Sequence, residues 1–310
     1  MAERKITVRV LTGPTCSGKT ALGVRLAREL GLDVICMDSM QIYRGMDIGT
    51  AKPTAEERQG VEHHMLDIRD PADGFSVNEY RDMAETLVKR LWTEKHRGVL
   101  FVGGTGLYLA AMMHPLGMGG AEADQELREK LKALAADENG RERLHRMLEK
   151  EDPETAARLP VNDVRRAIRA IEVTRRTGIP FSKQPPRETD DAFSWRVACP
   201  VIERETLYAR INARVDGMIR AGLRDEVAAL LESGVPEDTQ SMGGLGYKEM
   251  IPCIRGKCTL EEAVEKIKAG TRRYAKRQGT FLRRETAVKY FDALGQDAYV
   301  RMRELLAADN

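Results

Sequence analysis

The stretch Gly13-Pro14-Thr15-Cys16-Ser17-Gly18-Lys19-Thr20 fits G-x-x-x-x-G-K-[ST] in full, between the apolar run ITVRVLT and the helix-like ALGVRLAREL. No other stretch constrains the fold as strongly. The pattern needs a strand to deliver it, a tight turn, and a helix whose N-terminus aims backbone N–H groups at an anion. Lys19 adds a mobile positive charge, and the Thr20 hydroxyl suits a magnesium ion that bridges phosphate oxygens. Cys16 occupies a variable position and needs no chemical role. The loop binds phosphates, but alone it does not say whose.

The segments that follow extend the same architecture. LDVICMD reads as a second buried strand ending in Asp38, Val77 to Lys95 as a helix, and GVLFVGG as a third apolar run bounded by glycines. Gly31, just past the first helix, is placed for a left-handed cap. Strands alternating with helices through short connections predict a parallel α/β sheet, with ligands at the carboxyl ends of the strands. GPTCSGKT, DSMQIYRG and GGTGLY then face one crevice. Asp38 is suited there to act as a general base or an outer magnesium ligand, or it caps the turn with Ser39. The long, polar, glycine-punctuated segment SMQIYRGMDIGTAKPT favours the site reading. Thr105 is a candidate N-cap whose hydroxyl still reaches the crevice.

After His114-Pro115 the composition changes. LGMGGAEAD reads as a glycine-rich linker, Asp124 to Arg176 as charged and helical without a strand candidate, and GIPFSKQPPRETDD as a second, proline-rich linker. WRVACP restores a strand, and helices are expected to dominate from Arg204 onwards. The prediction is a helical module at 115–195 inserted into a core formed by 1–114 and 196–310. Within the core, Glu205 to Arg220 places Tyr208, Ile211, Val215 and Ile219 on an inward stripe, with Arg210 and Arg214 four apart on an adjacent face. Thr259-Leu260-Glu261-Glu262 has the form of a capping box opening a long helix.

Charge is nearly balanced over the 310 residues, at a net +2, so only its distribution informs. Lys266 to Arg284 holds eight basic residues and no acid, and Arg165 to Arg187 holds seven against Glu172 alone. Each cluster is a local polyanion surface or a solvated helix face. The five cysteines form no CxxC pair, which predicts reduced thiols. Neither Cys253 with Cys258 nor His63 with His64 makes a convincing metal site. No apolar run approaches the roughly 20 residues a bilayer span requires. The N-terminus shows no signal-peptide pattern. A cytoplasmic, monomeric protein without a membrane partner is expected.

Several P-loop classes drop out. No Asn is followed by Lys, as a guanine-reading NKxD motif requires, and no apolar run ends in paired acids as in motor ATPases. Beyond the loop, DSMQIYRGMDIGTAKP, VEHHMLD, FVGGTGLYLAAM, RRAIRAIEVTRRTGIPFS, GGLGYKEM and TRRYAKRQGTFLRR occur in order, from the first strand to about Arg284. This set closely resembles the bacterial tRNA dimethylallyltransferases, also called tRNA isopentenyltransferases. The resemblance implies a P-loop, kinase-like α/β core with a helical insertion that grips the anticodon arm. It implies transfer of a dimethylallyl group from dimethylallyl diphosphate to N6 of the adenosine 3′ of the anticodon, in tRNAs reading codons that begin with U.

The same resemblance assigns roles. Asp38 would be the base, with Thr105 and Arg214 completing a diphosphate site made by Gly13 to Thr20 and magnesium; helical spacing alone does not choose Arg214 over Arg210. Ser39, Met40 and Gln41 would line the base pocket beside Asp38 and Thr105. Arg128, the stretch Arg165, Arg166, Ala167, Ile168 and Arg169, and the loop Gly243, Gly244, Leu245, Gly246, Tyr247 and Lys248 would contact the tRNA. The family commonly has Gln where Arg165 stands, which favours a phosphate contact there, and Phe281 replaces a frequent Trp. ATP fits the loop but is not the expected substrate. The rival readings are an adenylate isopentenyltransferase acting on free AMP, ADP or ATP, a small-metabolite kinase, and a non-catalytic RNA-binding protein. The basic clusters and the long insertion weigh against the first, because a free nucleotide needs neither.

Overall fold

β1 (Ile6–Leu11) is buried at all six positions, as a strand covered on both faces should be. The computed structural model describes residues 5–115 and 124–308; of the expected glycine-rich linker, 116–123 lie outside them. From β1 the chain passes through α1 (Lys19–Leu30), β2 (Leu32–Cys36), α2 (Ala55–Arg58) and β3 (His63–His64). It continues as α3 (Val77–Glu94), β4 (Gly98–Val102) and α4 (Gly106–Met113). Four further helices follow: α5 (Gln125–Ala136), α6 (Gly140–Glu151), α7 (Pro153–Arg158) and α8 (Val164–Thr177). The remainder is β5 (Phe193–Val201), α9 (Arg204–Arg220), α10 (Leu223–Glu232), α11 (Tyr247–Ile254), α12 (Leu260–Leu282), β6 (Val288–Asp292) and α13 (Ala298–Ala307).

The strands form one sheet in the order β3-β2-β4-β1-β5-β6, every pairing parallel. Alternate residues feed two cores, as the strand period requires. Val8, Val10, Ile35 and Phe101 join residues of α3, α4 and α9 to α12 on one face. Leu11, Val34, Leu100 and Ala198 meet Leu26 and Ala27 of α1 and Met302 and Leu306 of α13 on the other. Register decides where function can sit. Leu11 pairs with Val102, and Val102 with Cys36, so the loops after β1, β2 and β4 leave the sheet side by side.

The α/β, parallel-sheet expectation is met. Gly31 caps α1 in the left-handed region at φ 64°. Thr259 and Glu262 form a reciprocal capping box on α12, which contributes about 1 kcal/mol. The structure adds two short strands and shifts one helical stripe. β6 interrupts the expected run of helices after Arg204; its burial alternates irregularly over five residues, too short to show a period. β3 is a two-residue edge strand. In α9 the buried stripe is Leu207, Ile211 and Val215, while Tyr208 and Ile219 are half-buried at its margin. Among the described residues, no helix is long and apolar enough to cross a membrane.

Contacts divide the chain into two compact units, 1–113 with 190–310, and 114–189. The smaller unit has its own core, built from Leu131, Leu144, Leu148, Ile168 and Ile171. Two buried acids organise it. Asp152 accepts the backbone N–H and hydroxyl of Thr155 and of Ser182. Glu172 accepts the Asp124 N–H and pairs with Arg128 and Arg169. Burial opposes ionisation of both, yet these hydrogen bonds hold both below the usual carboxylate range.

Candidate active site

The phosphate loop is shaped by what surrounds it. Gly13 has φ 141°, and a Cβ there would lie 3.2 Å from the Pro200 carbonyl and 3.3 Å from Cys199 Sγ, so both conformation and space demand glycine. Gly18, at φ 88°, is the N-cap of α1. Ser17 N–H donates to the Pro14 carbonyl at 3.3 Å, and Lys19 Nζ folds back onto the same carbonyl at 2.6 Å. The Lys19 ammonium is enclosed by loop atoms although the residue as a whole is only half-buried. That desolvation lowers its pKa to about 8, with the Arg214 charge adding to the fall and Asp38 opposing it.

Asp38 follows the buried Met37 at the end of β2. Its Oδ1 accepts the Met40 N–H at 2.9 Å, so it closes a turn and also lines the cleft. Thr105 links the neighbouring loops. Its N–H donates to the Met37 carbonyl at 3.2 Å, and its hydroxyl accepts the Ser39 N–H at 3.0 Å. Its carbonyl accepts the first N–H groups of α4, so Thr105 heads that helix while its hydroxyl serves the β2 loop.

The cleft measures about 830 Å³. Thr15, Cys16, Gly18, Lys19 and Thr20 form one part of its wall, Asp38 and Gln41 another, with Arg210 and Arg214 from α9. Arg214 Nη1 lies 3.7 Å from Cys16 Sγ and is half-buried, whereas Arg210 is exposed; geometry thus distinguishes two arginines that spacing could not. Gly13, Pro14 and Ser17 shape the loop from behind, and Ser39, Met40 and Thr105 stand one step back from the wall. Met40 is held by the GGLG loop, where a Cβ on Gly244 would fall 2.4 Å from its methyl.

Gln278 on α12 was not singled out by the sequence reading, yet it joins the two sides of the site. Its Oε1 accepts the Thr15 N–H at 2.9 Å, and its Nε2 donates to the Gly104 carbonyl at 2.9 Å. A Cβ on Gly104 would lie 2.2 Å from that amide nitrogen, which explains the glycine. Tyr274, one turn earlier, has its hydroxyl pKa pushed up by burial, with Asp38 adding to the rise and Thr105 and Gln278 beside it opposing it. The only available signal was the i, i+4 spacing of Tyr274 and Gln278 inside TRRYAKRQ, which charge had dominated.

The expected tRNA-contacting residues separate. Arg165 and Arg166 are exposed, as are Gly243 and Lys248. Arg128 and Arg169 are engaged by the buried Glu172. Ala167 and Ile168 are corrected: at 3% and 6% exposure their side chains belong to the core of the smaller unit. Tyr247 is corrected as well, being fully buried with its hydroxyl on Glu226 at 2.7 Å. Leu245 is half-buried against Gly270, and Gly244 and Gly246 are buried. Spacing placed these residues in a polar motif but could not show which side faces inward.

Metal ligation elsewhere has little support. His63 and His64 point to different partners, the Val61 carbonyl and Asp33. Asp33, Glu62 and His64 do bring ligand atoms within 4.8 Å. Lys95 at 3.4 Å from Glu62 and Arg97 at 4.0 Å from Asp33 already balance their charge. All five cysteines are free.

With this geometry in place, comparison with known proteins is decisive. The family model for IPP transferases matches residues 41–285. The chain belongs to the IPP transferase family. It is 46% identical to a tRNA dimethylallyltransferase of Geobacillus kaustophilus over 293 residues, covering 94% of this chain and 91% of that one. It is 43% identical to the tRNA dimethylallyltransferase of Halalkalibacterium halodurans over 307 residues, 98% of this chain and 96% of that one. Among solved structures, the full-length tRNA isopentenylpyrophosphate transferase of Bacillus halodurans superposes with TM-score 0.72 at 41% identity, over 98% and 96% of the two chains. A eukaryotic dimethylallyltransferase described as acting on tRNA superposes with TM-score 0.77 at 25% identity, over 97% of this chain and 78% of that one. The family resemblance read from the motifs is therefore correct, and the family is one of prenyl-transferring enzymes.

Proposed function

We propose that this protein transfers the dimethylallyl group of dimethylallyl diphosphate to N6 of the adenosine 3′ of the anticodon, in tRNAs reading codons that begin with U. The observation that carries this reading is the shared cleft: the phosphate loop and Asp38 open into one space because β1, β4 and β2 end in register. An adenine N6 amine is a weak nucleophile, since its lone pair is delocalised into the ring. Asp38 accepts its proton as the N–C bond forms and the donor's C–O bond breaks, and diphosphate leaves. Loop N–H groups, Lys19 and Arg214 receive the charge that develops on the leaving group. Thr105 holds the Asp38 turn in place through Ser39.

The Thr20 hydroxyl lines the cleft and, together with diphosphate oxygens, would suit a hard divalent cation, which we take to be Mg2+. When bound, it neutralises the diphosphate oxygens. Ser39, Met40 and Gln41 shape the pocket for an adenosine extruded from its loop. The exposed Arg165, Arg166 and Lys248 and the basic helix α12 supply phosphate contacts to the anticodon stem-loop. A cytoplasmic setting belongs to this reading, since free cysteines fit a reducing compartment. Incubation with dimethylallyl diphosphate, magnesium and total tRNA should yield N6-dimethylallyladenosine on nucleoside analysis. Prenylation of free AMP alone, with none in tRNA, would overturn the reading.

A further inference from the structure

Glu226 on α10 does not line the cleft, yet its carboxylate organises a segment that does. Its Oε2 accepts the backbone N–H groups of Asp47 at 2.8 Å and Ile48 at 2.7 Å. Its Oε1 accepts the Gly49 N–H at 3.0 Å and the Tyr247 hydroxyl at 2.7 Å. Consecutive N–H groups converging on one point make a backbone nest of the kind that otherwise captures a free anion. Here the chain supplies its own anion.

The next two residues carry the effect into the cleft. The Thr50 and Ala51 carbonyls accept from Gln41 Nε2 at 3.1 and 3.2 Å, and Gln41 lines the wall beside Asp38. Lys52 closes the segment, its ammonium on the Tyr43 carbonyl and on the carboxylates of Asp47 and Asp67. Gly49 packs so closely on the Tyr247 ring that a Cβ there would fall 2.5 Å from it.

We propose that Glu226 is a positioning residue for the acceptor wall of the cleft, fixing the Asp38–Lys52 segment through its backbone and so placing the target base without touching it. This rests on the prenyl-transfer reading above. The donor wall has separate anchors in Lys19 and Gln278, so releasing the nest acts on the acceptor side. A role confined to stability would weaken both sides together.

The two informative variants differ in what they leave behind. Glu226→Gln keeps one oxygen for Asp47 and Ile48 but turns its amide NH2 toward the Gly49 N–H, donor against donor. Glu226→Ala leaves all three N–H groups without the carboxylate. The test varies dimethylallyl diphosphate and an anticodon stem-loop in turn, and follows hydrogen exchange at the amides of Asp47, Ile48 and Gly49. We expect kcat/KM for the stem-loop to fall about tenfold in Glu226→Gln and about a hundredfold in Glu226→Ala, with KM for the donor held within about twofold. Amide exchange should accelerate in the same order. Variants that match the wild type toward the stem-loop, or whose donor KM rises in step, overturn the role of Glu226 alone. A wild-type protein that never prenylates the stem-loop overturns the transfer reading itself. If Glu226→Ala does not fold, Glu226→Gln decides the comparison.

Discussion

Lys19 ties pH to donor capture. Burial lowers its pKa to about 8, and only the protonated ammonium attracts diphosphate. The kcat/KM for dimethylallyl diphosphate should therefore hold below pH 8 and fall with unit slope above it, since this parameter reports the free enzyme. Lys19→Ala should lower the plateau and abolish that limb; a limb that persists would assign it to another group. Gln278 is a second residue whose loss is specific. Gln278→Leu leaves the Thr15 N–H and Gly104 carbonyl unpaired in a buried place, costing about 2–4 kcal/mol over the two contacts. Donor KM should rise, and a thermal melt with full donor affinity would contradict the link. These residues divide by legibility. The phosphate loop, Asp38 and Thr105 were readable because each sits where a strand ends and a motif is local. Gln278 meets Thr15 across 263 positions, and Glu226 meets Ile48 across 178. A side chain bonded to a distant backbone leaves nothing in sequence that names its partner, and the i, i+4 spacing of Tyr274 and Gln278 points to no loop.

At the level of elements, α12 does two jobs with two faces. Lys266, Arg273, Lys276 and Arg277 are exposed, while Gln278 turns inward to join the phosphate loop and the loop after β4. In the smaller unit the braces are Asp152 and Glu172. Their carboxyls are held below their ordinary values, so the stability they contribute is present above about pH 4 and is lost as pH falls through the folded-state values. Melting the protein from pH 7 to pH 3 should show this loss. Asp152→Ala, which strips four donors of their acceptor, should lower stability at pH 7 by about 2–4 kcal/mol and flatten the acid dependence. An unchanged acid profile would contradict that role. Continuous apolar runs and capping residues made β1, β2, β4, α3 and α12 readable. β3 and β6 escaped because two and five residues at the rim of the sheet carry too little pattern.

For the whole molecule the net charge is only +2, yet under the proposed function the exposed Arg165 and Arg166 should make RNA binding steeply salt-dependent. Arg165→Ala with Arg166→Ala should weaken stem-loop affinity and reduce the slope of log affinity against log salt by about 1–2, as for loss of two phosphate contacts. An unchanged slope would remove these two residues from the interface. The P-loop sheet was legible in outline because parallel βα units impose their own sequence rhythm. Which face of GGLGYKEM or RRAIRA turns inward was not, since burial there is decided by packing partners far away in sequence, such as Glu226 for Tyr247.

In the proposed reaction Asp38 is the base and the loop opposite holds a prenyl diphosphate. Asp38→Asn tests it most directly, because the amide oxygen can still accept the Met40 N–H while the basicity is gone. Single-turnover transfer to an anticodon stem-loop should slow by about 10²–10⁴-fold, with stem-loop and donor affinities near those of the wild type. Transfer at close to the wild-type rate would contradict the account.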